Sequence, residues 1–188
     1  MRTLLTGRLC SIVIVAAAAV ESIGAPAENE GAEKIKRPVS ARIDVIHKIE
    51  TADPIGNVIV KYADGTEDKW TDKGNCSTPK VSSSGMVGWI VYSLQKDGKS
   101  IEMYGELPTN GKVSVCEKGK VLATVSTTKP FIEQWGFSQD GGHIVVKSRG
   151  AHGPATIQLF AIKDGSAEAA VDAYSENLPE WARPYKDD

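Results

Sequence analysis

The chain has 188 residues, with 22 Lys and Arg against 24 Asp and Glu, a formal charge of -2 and 41% hydrophobic residues. That near-neutral balance lacks the electrostatic footprint of a nucleic-acid binder, and one N-terminal apolar run is too little for a protein that crosses a membrane several times.

The first segment reads as an export signal, residues 1–27. Arg2 and Arg8 form a basic start, Leu9 to Val20 an apolar stretch, and Ala25-Pro26-Ala27 the small residues a signal peptidase reads. Glu21 closes the apolar run before it reaches the roughly 17 to 25 residues a membrane span needs. The expected product is therefore periplasmic or secreted, with no stable membrane insertion after processing. Cleavage after Ala27 leaves 161 residues, the size of one domain. Of the three cysteines, Cys76 and Cys116 remain, and an even pair in an oxidising compartment predicts a disulfide. Two separately buried thiols are the alternative, since free Cys packs as a small core hydrophobe.

Residues 28–40 carry Ala, Glu, Asn, Gly and Lys without apolar period and read as a flexible tether. From Arg42 a period of two begins, with Ile43, Val45, His47 and Ile49 on one side of a strand. Asn57 to Ala63 is the next strand, placing Val58, Val60 and Tyr62 on one face. Asp64-Gly65 is expected to turn with positive φ at both positions, and Thr66 to Trp70 to return. The same grammar continues: Val87 to Leu94 with Trp89 and Tyr92 on opposite faces, turn Asp97-Gly98, return Ser100 to Leu107. Asn110-Gly111 and Lys118-Gly119 flank Lys112 to Cys116, and Lys120 to Ser126 follows. Gln134 to Ser138, His143 to Ser148, Thr156 to Ile162 and Ala169 to Tyr174 complete the strands, with turns at Asp140-Gly141 and Asp164-Gly165. No segment beyond the signal shows a 3.6-residue apolar period. Short strands separated by turn dipeptides predict an all-β domain over 41–176, followed by a tail at 177–188.

Two stretches match at a shift of 56 positions. Val81-Ser82 with Gly85 corresponds to Phe137-Ser138 with Gly141, and Ile101-Glu102-Met103-Tyr104 to Ile157-Gln158-Leu159-Phe160. The second copy, Trp135 to Val146, resembles the aromatic, Ser, Asp-Gly, β-branched strand cassette of WD40-like and TolB-type β-propeller blades. The resemblance covers about 79–125 and 131–172. It implies antiparallel sheets from two propeller-blade-like repeats. A closed propeller needs four to eight blades of about 40 to 45 residues, so the expectation is an incomplete propeller or sandwich-like packing. The stretch from Val87-Gly88-Trp89 to Pro179-Glu180-Trp181 also resembles small exported bacterial proteins.

Candidate chemistry is sparse. His47 and His143 lie on strands and read as structural. His152 stands in Arg149-Gly150-Ala151-His152-Gly153-Pro154, a Gly-flanked loop where Arg149 and His152 could contact a ligand. No His or Cys pair has the short spacing of zinc ligands, no Gly-x-Ser-x-Gly elbow is present, and neither metal nor cofactor is expected. Glu67, Asp68 and Asp72 read as a solvated hairpin edge. Trp181 is expected to staple the tail onto the sheet. The reading that follows is an exported binding or accessory module with a protein partner in the cell envelope. The alternatives are a hydrolase using His152 with an acidic partner, and a purely structural envelope protein.

Overall fold

The computed structural model describes residues 36–187. The expected signal, residues 1–27, and most of the expected tether lie outside those residues. Strand β1 (Pro38–His47) already begins inside the stretch expected to be tether, pairing along its whole length with β2 (Ile55–Tyr62). Pro38 is buried there, so the chain is anchored earlier than its composition suggests.

A short β3 (Glu67–Lys69) returns on β2, and β4 (Cys76–Val81) forms a hairpin with β5 (Val87–Val91). After a two-stranded excursion, β6 (Met103–Tyr104) and β7 (Leu107–Pro108), come β8 (Lys112–Glu117) and β9 (Lys120–Ser126). These strands give a first sheet in the order β1-β2-β4-β5-β8-β9, with β3 beside β2. The second sheet is a sequential meander of β10 (Phe131–Phe137), β11 (His143–Arg149), β12 (Thr156–Ala161) and β13 (Ala167–Asp172). All pairings are antiparallel, the class is all-β, and neither sheet closes on itself.

The two sheets share a core. Ile55, Ile90, Val113, Val115 and Val125 from the first meet Ile132, Trp135, Ile144, Val146 and Phe160 from the second. Period two then explains the rest. In β5, Ile90 points into this core while Val87 and Trp89 point to the opposite face, where they join Val58, Val60, Tyr62, Cys76 and Cys116. In β11, Val145 faces away from the shared core and is covered by Leu178, Ala182 and Tyr185 of the tail. Strands β5 and β11 are thus apolar on both faces because both faces are covered. The tail contains a 3₁₀ turn at Glu180–Tyr185, an element the apolar period did not predict. Ala182 and Tyr185 supply its buried contacts, and Trp181 packs only partly.

Turn geometry refines the expectations. At Asp64-Gly65 only Gly65 takes the left-handed angle, φ +85°, while Asp64 Oδ1 accepts from the backbone N–H and hydroxyl of Thr66. At Lys118-Gly119 both residues do have positive φ, 50° and 75°, as a two-residue hairpin with mirror-image turn requires. The return strand expected at Ser100 to Leu107 is broken: one bridge joins Leu94 to Ile101, then Gly105 at φ +63° turns the chain into the β6–β7 hairpin.

The expected disulfide is not formed, and Cys76 and Cys116 are free and buried. The register gives the reason. Cys76 sits opposite Val91 and Cys116 opposite Val87, on the two flanks of β5. Two strand spacings are about 9.6 Å, whereas a disulfide needs Cα atoms about 4.4 to 6.8 Å apart. Sequence counting could pair the cysteines but could not show a strand between them.

Candidate functional site: a cleft where the sheets end

Five chain segments finish together at one end of the molecule. The β1–β2 connection supplies Glu50 to Asp53, the end of β5 Tyr92, strand β7 Leu107 and Pro108, the start of β10 Phe131 to Glu133, and the end of β11 Arg149 to Ala151. They enclose a cleft of about 580 Å³.

Its floor is held by charge and by one amide. Asn110 accepts from Ile132 N–H at 2.6 Å and donates to Ile132 O at 3.3 Å, clamping the loop before β8 to the start of β10. Glu133 is the extra residue at a bulge between Ile132 and Gln134, the kind of irregularity that re-aims a side chain. It reaches Arg149, whose Nη2 donates to Glu133 Oε2 at 3.1 Å, and lies 3.8 Å from Lys147 Nζ. Asp187 pairs with Lys147 and stands 3.8 Å from Arg149 Nη2. The hydrogen bond that Arg149 donates to Glu133 holds its guanidinium above the ordinary pKa. Two bases thus meet two acids. Arg149, one of the two expected ligand contacts, does line the cleft, but its guanidinium is committed to carboxylates of its own chain.

His152, the other, does not line the cleft. It is exposed in the loop between β11 and β12, followed by Gly153 at φ +91°. The structure therefore separates two residues that adjacency in sequence had grouped. His143 stands at the start of β11, with Nδ1 3.1 Å from Asp140 Oδ2 in the β10–β11 turn and Nε2 3.0 Å from Glu168 Oε2, so its ring joins that turn to β13.

Beside the cleft the β6–β7 hairpin leaves large apolar side chains in solvent. Met103 is 39%, Tyr104 64% and Leu107 40% exposed. The Tyr104 ring leans on Phe131 with centroids 6.1 Å apart, joining hairpin to cleft. Thr51 Oγ1 donates to Glu106 O at 2.7 Å and ties the β1–β2 connection to the hairpin tip. Sequence reasoning missed this group because Ile101 to Tyr104 reads as the third strand of a repeat. The available signal was Gly105-Glu106 followed by Pro108, a reversal inside a supposed strand.

Among the described residues no group of three or more His, Cys, Asp and Glu is placed to hold a metal ion, and no helix is long and apolar enough to cross a membrane. Compared with protein-family models and with curated proteins, the chain matches none.

Proposed function

We propose that this protein is an exported binding or accessory module that docks a protein partner in the cell envelope through the cleft and the β6–β7 hairpin. The observation that carries the reading is the set of exposed apolar side chains, Met103, Tyr104 and Leu107, on a hairpin whose Leu107 and Pro108 line a concave site. A protein leaving three such residues together in solvent gains by covering them, because burial of apolar surface is the general drive to association. The four-strand meander β10–β13 supports the likeness to WD40-like and TolB-type blades, which present loop ends and sheet edges to partners. Export rests on the Arg2 to Ala27 segment.

The test compares wild-type protein with a Tyr104→Ser, Leu107→Ser double variant, each immobilised and exposed to envelope extract. A partner retained by the wild type and lost by the variant supports the reading. Equal retention by both, or none by the wild type, overturns it. Intact mass of protein from the secreted fraction tests export: loss of about 27 residues is the expected result, and an unprocessed cytosolic chain the contrary one.

A further inference from the structure

The charges at the cleft fall into two groups. Arg149 and Glu133, which line it, pair with each other and with Lys147 and Asp187 outside its lining, so their charge is matched. On the rim stand Glu50 and Asp53, and neither forms an ion pair among the described residues. Among the described residues Arg149 is the only base lining the cleft, and it is already engaged. Next to these acids lie the exposed side chains of Leu107, which lines the cleft, and Tyr104, which rests on the buried Phe131.

We propose that the cleft takes a basic, apolar-anchored segment of a partner protein. A Lys or Arg side chain sits against the carboxylates of Glu50 and Asp53, and a neighbouring apolar side chain of the same segment packs on Leu107 and Tyr104. This rests on the docking reading above and gives the partner its chemistry. An anionic ligand is disfavoured on two counts. Arg149 would have to leave Glu133 and Asp187 to bind it, and the rim repels it. Exposed carboxylates act weakly one at a time and are screened by salt, so they choose and orient the segment while the apolar contact retains it.

Fluorescence anisotropy with the full chain tests the proposal, using short labelled peptides of alternating Lys and Leu, Glu and Leu, or Lys and Ser. The Lys-Leu peptide is expected to bind, and the other two at least about tenfold more weakly. Glu50→Gln with Asp53→Asn should weaken Lys-Leu binding by about three- to tenfold at low salt and reduce its salt dependence. Leu107→Ser should weaken it by about tenfold at every salt concentration. The altered side chains are exposed or line an open cleft, and unchanged thermal melts will show that the fold is intact. Equal binding of the Glu-Leu peptide, or Lys-Leu binding indifferent to the rim change, overturns the proposal. The two readings fail separately. If the Tyr104 and Leu107 changes release an envelope partner and neutralising the rim does not, docking stands and the basic class falls. If neither change releases it, both fall.

Discussion

The hairpins β4–β5 and β10–β11 are one device used twice with different sequels. Each turn begins with a serine whose hydroxyl caps it: Ser82 Oγ accepts from Met86 N–H at 2.9 Å, and Ser138 Oγ from His143 N–H at 3.0 Å. Each uses a left-handed glycine, Gly85 at φ +91° and Gly141 at φ +71°. Beyond the hairpin the copies part. β11 is followed by β12, which pairs with it over six positions from His143–Ala161 to Ser148–Thr156. β5 meets β8 instead, because the segment equivalent to β12 is cut short at Gly105. The repeat preserves turn chemistry. Strand order is decided by the next residue that reverses the chain.

The copies also lock together, and that contact is the place to break the comparison hardest. Trp135 of β10 lies against Gly88 of β5, where an added Cβ would come 2.7 Å from Cη2 of the indole and 3.2 Å from Ser114 O. The indole N–H donates to Thr78 O at 3.1 Å, and Thr78 itself takes φ +43° at an irregularity in β4. Trp135→Ala should cost about 3 to 5 kcal/mol through the cavity it leaves. Gly88→Val should cost about 1 to 3 kcal/mol, since the indole is packed and the carbonyl is fixed. Urea unfolding measures both. Losses under about 0.5 kcal/mol would mean that the two sheets do not share this core.

The thiols distinguish the first sheet from the second, which has none. Burial pushes the Cys116 thiol up to about 11, with nearby Cys76 adding to the effect, and burial raises Cys76 as well. In the unfolded chain these groups ionise near their ordinary value of 9.0. A raised folded value therefore gives stability fully present below pH 9 and lost as pH climbs toward 11. Tyr62 and Tyr185, both raised by burial, act in the same direction at higher pH. The expected loss from Cys116 is at most about 3 kcal/mol, and Cys116→Ala should flatten that part of the profile. Alkylation should reach Cys76 and Cys116 only after unfolding. A bridged pair found by intact mass would require a different β4–β5–β8 register.

Local chemistry was legible in the sequence where it was self-contained. Val58, Val60 and Tyr62 share a face, as alternation predicts, and Trp89 and Tyr92 lie in separate cores. Lys120–Ser126 is a strand with the expected bounds. What escaped depends on partners distant in the chain. The burial of Pro38 needs the first sheet, the separation of the cysteines needs β5 between them, and the cleft needs five segments that no spacing connects. Arg149 was found because a Gly-rich loop marks it. Glu50 and Asp53 were not, since carboxylates near a strand end look like any solvated edge.

Acid tests the turns, where the copies differ in charge at one position. Position 84 in the first turn is a serine, hydrogen-bonded to Ser82 at 2.9 Å. Its counterpart Asp140 receives hydrogen bonds from Ser138 and from Gly142 N–H, which hold its carboxyl below the usual range. The same device lowers Asp64 and Asp164 through their bonds from Thr66 and Ser166, and Asp97 to about 2 through Ser100 and Lys99. Lowered folded values give stability that is present above about pH 4 and lost as pH falls through the folded values, for Asp97 between 3.8 and about 2. Asp140→Asn should lower the melting temperature at pH 7 by a small amount that vanishes in acid. Ser84→Ala should cost the same at every pH in that range. A pH-independent cost at both positions would mean that the second turn gains nothing from its charge.

The smallest effect is expected in the loop between β11 and β12, which the first copy replaces with a tight turn at Asp97-Gly98 stapled by bonds from Asp97 to Lys99 N–H and Ser100 N–H. His152 is exposed in this loop and outside the cleft, so His152→Ala should change stability by about 0.5 kcal/mol or less. The neighbouring glycine is the control. Gly153 stands at φ +91° with open space where a Cβ would be, so the only cost of a side chain there is the backbone angle itself. Gly153→Val should then cost about 1 to 3 kcal/mol, a β-branched residue being strained at that angle and Pro154 narrowing the choices of the residue before it. Thermal melts of the two variants give the ordering. If His152→Ala proved the more damaging, its ring would have to be packed rather than solvated, and the loop would be a part of the fold that the tight turn in the first copy does without.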